Sequence, residues 1–287
     1  MSDVDPNPRV LLLGADGMLG QAWARLLRAQ GLPHQTRLFP AFDLTCREHV
    51  DGLPLVEVDV VVNCTGYTNV DGAQTDEAGA TALNGDGVGW LAEHCARADC
   101  TLVHYSTDYV FSGQATTPYP VDHPRDPLSA YGRSKAVGEE RIEASGARYL
   151  LVRTSWLYAP WGGNFVRTMA RLGRERDALK VVHDQRGRPT SAEHLAATSL
   201  ALLRKGATGP LHVTDGGECS WYEFARAIIS QVNPACTVTP CTTEEFPRPA
   251  PRPPYSVLDL SRTEALVGPM PAWTDQVAAV VDRLSEE

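Results

Sequence analysis

Apolar residues in the first half of the chain fall into short continuous runs rather than alternating with polar ones. Residues 9–13 are such a run, ending at Gly14, and residues 58–64 and 101–106 repeat the pattern. Continuous runs of this length predict strands buried on both faces. Between the runs the period changes. Leu19, Trp23, Leu26 and Leu27 recur at helical spacing over residues 17–30, closed by Gly31, and Leu83, Val88, Leu91 and Cys95 do so over 83–98. Residues 130–144 read as a further helix and 149–154 as a further strand. Thr45 and Glu48 have capping-box spacing and predict a short helix opening at Thr45. Strand and helix alternate without a hairpin signal, so the expected architecture is α/β, a doubly wound parallel sheet.

Beyond residue 155 tryptophan, glycine and proline thicken. Residues 193–204 and 221–232 predict two more helices. Residues 247–254, Pro-Arg-Pro-Ala-Pro-Arg-Pro-Pro, can be neither helix nor central strand, and read either as an ordered loop lining something or as a connector. This divides the chain into a first domain over 1–155 and a smaller C-terminal lobe over 156–287. The helix near 191–205 is expected to pack back on the first domain.

Composition narrows the classes. The 287 residues carry a formal charge of −9 with no basic block, which disfavours nucleic acid and anionic membranes as partners. No run approaches the ~20 apolar residues of a membrane span. The polar N-terminus, with acids at positions 3 and 5, lacks the pattern of a secretory signal. Seven cysteines, at 46, 64, 95, 100, 219, 236 and 241, show no C-x₂-C spacing and read as reduced thiols of a cytoplasmic protein.

Gly14-Ala-Asp-Gly17-Met-Leu-Gly20 stands between the first strand and the first helix. Glycines there let the backbone turn tightly and approach a pyrophosphate, whose charge the helix N-terminus meets. Near the end of the second strand Arg37 would suit the 2′-phosphate of NADP, or is a solvated surface residue. Asp43 stands where an adenine contact is plausible. Tyr131 and Lys135, spaced i and i+4, share one helical face. With nine tyrosines and three lysines in the chain, such a spacing arises by chance roughly one time in ten. An ammonium beside a phenol stabilises the phenolate, which suits proton donation to a carbonyl under reduction. Ser106 and Thr107, directly after the strand at residues 101–105, are both placed to hydrogen-bond that carbonyl.

G-x-x-G-x-x-G, Ser/Thr and Y-x-x-x-K together resemble the extended short-chain dehydrogenase/reductase family. His104-Tyr-Ser-Thr-Asp-Tyr-Val-Phe111, Arg153-Thr-Ser-Trp-Leu-Tyr158, Asp184-Gln-Arg-Gly-Arg-Pro-Thr190 and Arg252-Pro-Pro-Tyr-Ser256 narrow this to a resemblance to the dTDP-4-dehydrorhamnose reductase family. The resemblance implies a Rossmann domain that binds NADPH or NADH and a lobe that binds a dTDP-4-keto-6-deoxyhexose. It implies Thr107, Tyr131 and Lys135 as the catalytic trio. Cofactor contacts are implied at Gly14, Asp16, Gly17, Met18, Leu19, Arg37, Asp43, Leu44, Cys64, Thr65 and Gly66, besides Tyr131 and Lys135. Substrate contacts are implied at Thr68, Val70, Thr107, Asp108, Trp156, Asn164, Gln185 and Arg252.

The chain departs from the family pattern at Cys64-Thr65-Gly66 and at Asp71-Gly-Ala-Gln74, which leaves the particular sugar open. Some members bind magnesium at a dimer interface through glutamates. Glu193 stands at one such position, but Ala22 stands at another, so no metal is expected, and a homodimer is left open. The implied reaction is reduction at C4 of dTDP-4-dehydrorhamnose to dTDP-L-rhamnose. Two other readings are a 4-ketoreductase of another dTDP-deoxysugar pathway and a non-catalytic NADP-binding regulatory subunit.

Overall fold

Strands whose residues are buried at nearly every position need helices on both faces. In the computed structural model, which describes residues 7–285, helices cover the two faces of one six-stranded parallel sheet. The first half runs Val10–Leu13 (β1), Met18–Ala29 (α1), His34–Arg37 (β2), Arg47–Asp51 (α2), Val60–Asn63 (β3), Val70–Ala73 (α3), Glu77–Thr81 (α4), Gly87–Arg97 (α5), Thr101–Thr107 (β4), Ala130–Ala144 (α6) and Tyr149–Thr154 (β5). The second continues Leu157–Tyr158 (β6), Phe165–Glu175 (α7), Ala178–Val182 (β7), Arg186–Gly187 (β8), Thr190–Ser191 (β9), Ala192–Arg204 (α8), Gly209–His212 (β10), Cys219–Ser220 (β11), Trp221–Val232 (α9), Thr237–Cys241 (β12), Ser261–Val267 (α10) and Trp273–Ser285 (α11).

The sheet order is β10-β5-β4-β3-β1-β2, with every pairing parallel. The chain steps outward from β1 to β2 and then returns to β3 on the other side of β1. That reversal opens a crevice at the carboxyl ends of β1 and β3, where open α/β sheets take ligands. Strand parity sorts the core. Val10, Leu12, Val62, Val103 and Val152 face α1 and α8, packing on Trp23, Leu27 and Leu195. Leu11, Leu13, Val61, Leu102 and Leu151 face the opposite layer with Val88, Leu91 and Ile142. A separate core in the second half joins α7, α9 and α11 through Val166, Met169, Phe224, Ile228 and Val280.

The doubly wound parallel sheet is the one read from the periodicity. Three local expectations change. The capping box at Thr45 does not form: its N–H and hydroxyl both turn back to Asp43 Oδ1 (2.9 and 2.7 Å), and α2 starts at Arg47 without a side-chain cap. The helix expected over 83–98 becomes α5 from Gly87, preceded by a wider turn over 82–86. There the Asn84 side chain accepts the Tyr67 N–H (2.9 Å) and donates to Tyr67 O and Ser134 Oγ. The sheet also extends past residue 155, because β10 pairs with β5 after α8 crosses over to pack on α1.

Residues 247–254 form an ordered loop. Arg248 and Arg252 both pair with Asp71, and Pro253 packs on Gly113. All seven cysteines are free thiols. No helix among the described residues is long and apolar enough to cross a membrane. Residues 1–6, on which the reading of the N-terminus rests, lie outside the described residues.

Close approach of backbones locates α6. A Cβ at Gly132 would lie 2.2 Å from Tyr109 O, and one at Gly138 would lie 2.1 Å from Asn84 O. Replacing a helical glycine by alanine ordinarily gains about 1 kcal/mol. Gly138→Ala should instead lower stability by about 1–3 kcal/mol, the range for overpacking, measured as a lower urea midpoint. An unchanged or higher midpoint would show that α6 is not seated by this contact.

Candidate active site

Helix α6 begins at a double cap. The Ser129 hydroxyl accepts the Gly132 N–H (3.1 Å), and Gln74 Oε1, reaching over from α3, accepts the Ala130 N–H (2.6 Å). Along the helix, Tyr131, Lys135 and Glu139 repeat every four residues and form one stripe. Glu139 is fully buried and takes Arg153 of β5 in a two-point pair, 2.9 Å to Oε1 and 2.7 Å to Oε2, with Arg125 at 3.1 Å. Burial alone would push that carboxyl up, but Arg153 and Arg125 bring it below its ordinary value. The pair fixes the rotation of α6, which aims Lys135 and Tyr131 at the ends of β3 and β4.

At the end of β4, Thr107 Oγ1 donates to Asp108 Oδ1 (2.9 Å) and accepts the Tyr109 N–H (3.2 Å). Burial raises the Tyr131 phenol to about 12, with the Thr107 hydroxyl pulling the other way and Asp108 pushing up. Thr107 is therefore the hydroxyl that meets Tyr131, whereas Ser106, one residue before the end of β4, lies beside Glu139. Burial also raises Asp108 to about 7, against hydrogen bonds from Ser256 and Thr107. Lys135, 5% exposed, is brought down to about 8 by burial, with Glu139 opposing. Its nitrogen lies 3.1 Å from His104 Nε2. The expected lowering of the phenol by Lys135 does not occur in this arrangement, because the amine is engaged with His104 and burial dominates at Tyr131.

The glycine turn supplies an anion cradle. Gly14 has φ +73°, and a Cβ at Gly20 would lie 2.0 Å from Gly14 O, so the turn closes only on glycine. Helix α1 opens on Gly17 with no side-chain cap and no acid in its first turn, which leaves its first N–H groups facing outward for a negative group. Trp161, from the second half, donates its indole N–H to Met18 O (3.0 Å), and Arg25 stacks over that indole. Thr65 abuts Gly14 across the crevice. These residues fit the diphosphate of a dinucleotide.

The remaining sequence-derived positions divide into two groups. Asp16 and Gly17 are exposed, and Met18, Thr65 and Gly66 are half-buried around the turn. Cys64 stands at the end of β3, and burial pushes its thiol up, so it is not a reactive thiolate. The side chains of Leu19 and Leu44 belong to the core, so any contact they make with a ligand is through backbone. Arg37 donates to its own strand at Thr36 O (2.9 Å), and Asp43 is held below its ordinary value by Thr45. Thr68 is exposed and Val70 half-buried at the start of α3.

Trp156 adopts φ +46°, a strained conformation for a bulky residue, and lies between Gly187 and the Trp221 ring 3.6 Å away. Arg252 pairs with Asp71 (3.0 Å) and its guanidinium lies 5.9 Å from the centre of the Tyr109 ring, which itself faces Tyr131 at 6.0 Å. Asn164 and Gln185 are used structurally. Asn164 caps α7 and donates to Ala159 O, Trp161 O and Gly162 O, and Gln185 is buried with its amide on Thr243 Oγ1 (3.0 Å). Glu193 takes Arg283, and no cluster of metal ligands exists among the described residues.

Four residues that shape this site escape a linear reading: Asn63, His104, Glu139 and Gln74. Strand parity and the i+4 step were the available signals for His104 and Glu139. No local signal marks Gln74.

Comparison with known proteins identifies the family. The model of the RmlD substrate binding domain matches residues 8–286. A dTDP-4-dehydrorhamnose reductase of Burkholderia thailandensis is 37% identical, covering 97% of this chain and 100% of its own. A Streptomyces antibioticus protein, "Probable dTDP-4,6-dihydroxy-2-methyloxan-3-one 4-ketoreductase", is 41% identical over 92% of each chain. The crystal structure of dTDP-4-dehydrorhamnose reductase from Bacillus anthracis, in complex with NADP, superposes with TM-score 0.92 at 34% identity, covering 96% of this chain and 99% of that one. The chain is a member of the RmlD substrate-binding-domain family.

Proposed function

We propose that this protein is an NADPH-dependent reductase of the C4 keto group of a dTDP-4-keto-6-deoxyhexose, with dTDP-4-dehydrorhamnose as substrate and dTDP-L-rhamnose as product. The observation that carries the reading is a phenol held protonated beside a threonine hydroxyl, on one helical stripe with a buried amine, next to a glycine turn at the sheet's switch point. Family membership supports it, since relatives of near-full length are named as dTDP-sugar reductases.

Gly14, Gly17, Thr65 and the start of α1 hold the cofactor's diphosphate, and Lys135 its ribose. Arg37 favours NADP over NAD, in keeping with the NADP complex of the Bacillus anthracis relative. When bound, the nicotinamide supplies a hydride for C4 of the sugar. Thr107 holds the carbonyl oxygen by hydrogen bond. Tyr131, protonated at neutral pH, gives its proton to that oxygen as charge develops there. Trp156 and Arg252 flank the sugar, and Trp161 helps to exclude water by closing over the turn. The cofactor side is built from residues 1–155 and the sugar-nucleotide side from 156–287, in a cytoplasmic enzyme. A homodimer is compatible with this arrangement.

A second reading, a 4-ketoreductase acting in another dTDP-deoxysugar pathway, draws support from the Streptomyces relative and from the departures at Cys64-Thr65-Gly66 and at residues 71–74. Product analysis by NMR after incubation with dTDP-4-keto-6-deoxy-L-lyxo-hexose and NADPH separates the two through the C4 configuration. No NADPH consumption with any dTDP-4-keto sugar would favour a non-catalytic NADP-binding subunit instead. Intact Thr107, Tyr131 and Lys135 speak against that outcome.

Tyr131→Phe should lower turnover by about 10²–10⁴-fold, the usual contribution of a general acid, while NADPH affinity by fluorescence titration stays near wild type. Turnover within a few-fold of wild type would remove Tyr131 from the acid role. Asp108 gives a test on stability. Its carboxyl titrates at about 7 in the fold against an ordinary 3.8. Between those values the folded state keeps a proton that the unfolded state has released, so stability falls as pH rises through the interval, and the deficit persists above it. Asp108→Asn carries no such charge. Its melting temperature relative to wild type should therefore be more favourable at about pH 8 than at about pH 5; a difference independent of pH would refute the raised pKa.

A further inference from the structure

Three hydrogen bonds in series run from the backbone of the β3–α3 loop to Lys135, and only one arrangement of hydrogens satisfies them all. The Thr65 N–H donates to Asn63 Oδ1 at 3.0 Å, and the Thr65 hydroxyl does so at 2.6 Å. A backbone N–H is always a donor, so this face of the Asn63 amide is its oxygen. Asn63 Nδ2 therefore faces His104 Nδ1, at 3.1 Å, and donates to it. An imidazole whose Nδ1 accepts carries its hydrogen on Nε2. That hydrogen points at Lys135 Nζ, 3.1 Å away. Asn63 and His104 are fully buried or nearly so, at 0% and 1% exposed, so water cannot relieve a mismatch.

We propose that His104 is a positioning residue of the active site: fixed as its Nε2–H tautomer by Asn63, it donates to the lone pair of the Lys135 nitrogen and so favours the neutral amine over the ammonium before ligands bind. An ammonium at that nitrogen would have no lone pair to offer, and two donors would face each other at 3.1 Å. Switching the tautomer moves the same conflict to Asn63, and flipping Asn63 moves it to Thr65. Each alternative leaves one donor–donor contact inside the core, which costs roughly 1–3 kcal/mol as an unsatisfied buried group.

The other groups around the amine do not remove the constraint. Glu139, on the same helix, favours the ammonium, but Arg153 from β5 and Arg125 take up its carboxylate. Tyr131 lies a turn earlier and is a neutral phenol beside Asp108. Burial keeps the His104 imidazole from taking a second proton. With its lone pair on His104, the amine directs its own N–H bonds away from β4, toward the cleft beside Tyr131. The relevance to turnover rests on the proposed reduction, whereas the protonation state does not.

The chain has only three lysines, at 135, 180 and 205. Lys180 and Lys205 are exposed and serve as internal references. Lysine labelled with ¹³C at Cε, followed by NMR in the cofactor-free protein across pH, should show one resonance titrating well below the other two. In His104→Gln, whose amide oxygen can accept from an ammonium, that midpoint should rise by about one unit or more. A midpoint unchanged by His104→Gln, or three lysines titrating together in wild type, would overturn the proposal.

Should the variant fail to fold, ¹⁵N shifts of the His104 ring in the wild-type protein decide the matter: the Nε2–H tautomer is expected, and Nδ1–H excludes it. None of these spectra uses substrate. A protein inactive on every dTDP sugar would leave this inference standing, and an active one with an ordinary Lys135 would sink it alone.

Discussion

The geometry of the site depends on one buried ion pair. Glu139 sits in the core at full burial, joined at both carboxylate oxygens to Arg153 of the neighbouring strand. Removing either partner of such a pair leaves an uncompensated buried charge, at roughly 3–5 kcal/mol. The pair is better regarded as a device for orientation than as a source of stability. Glu139 stands four residues from Lys135 and eight from Tyr131, so locking its side chain to β5 locks the azimuth of the whole stripe. The glycines at 132 and 138 then let the helix backbone approach close enough for Lys135 to reach the inner strands.

Electrostatics in the cleft is local. A chain with a formal charge of −9 offers no general attraction for two phosphorylated ligands. What faces the crevice is a helix start without cap or acid, a buried amine and an arginine already anchored to a protein partner. Arg252 is held by Asp71. Side chains anchored before the ligand arrives lose little freedom on binding. The same economy explains why the loop of residues 247–254 is ordered although it has neither helix nor strand: two of its arginines converge on one aspartate.

The strands and most helices were legible because their periods are strong. Residues 130–144 and 149–154 are bounded by their own patterns, and the spacing of Tyr131 and Lys135 survives any error in helix ends. Failures occurred where a side chain had two partners within reach. Thr45 fits a capping box in sequence, but Asp43 lies two residues away and captures its hydroxyl first. Asn164 carries the right chemistry to meet a ligand, yet its amide and carbonyl are consumed by its own turn and by α7.

Sequence alone determined the doubly wound class, the glycine turn, the position of that turn before a helix, and the co-facial pair at 131 and 135. All of these follow from neighbours within one element, where backbone geometry converts spacing directly into direction. Tertiary structure decided the rest. It brought β10 into a sheet begun nearly two hundred residues earlier, selected Thr107 over Ser106 as the partner of Tyr131, and turned Lys135 toward His104. Those outcomes depend on which strand edge, which face and which buried lone pair remain available once the core has closed. No period along the chain encodes such availability, because the competing groups come from elements far apart in sequence.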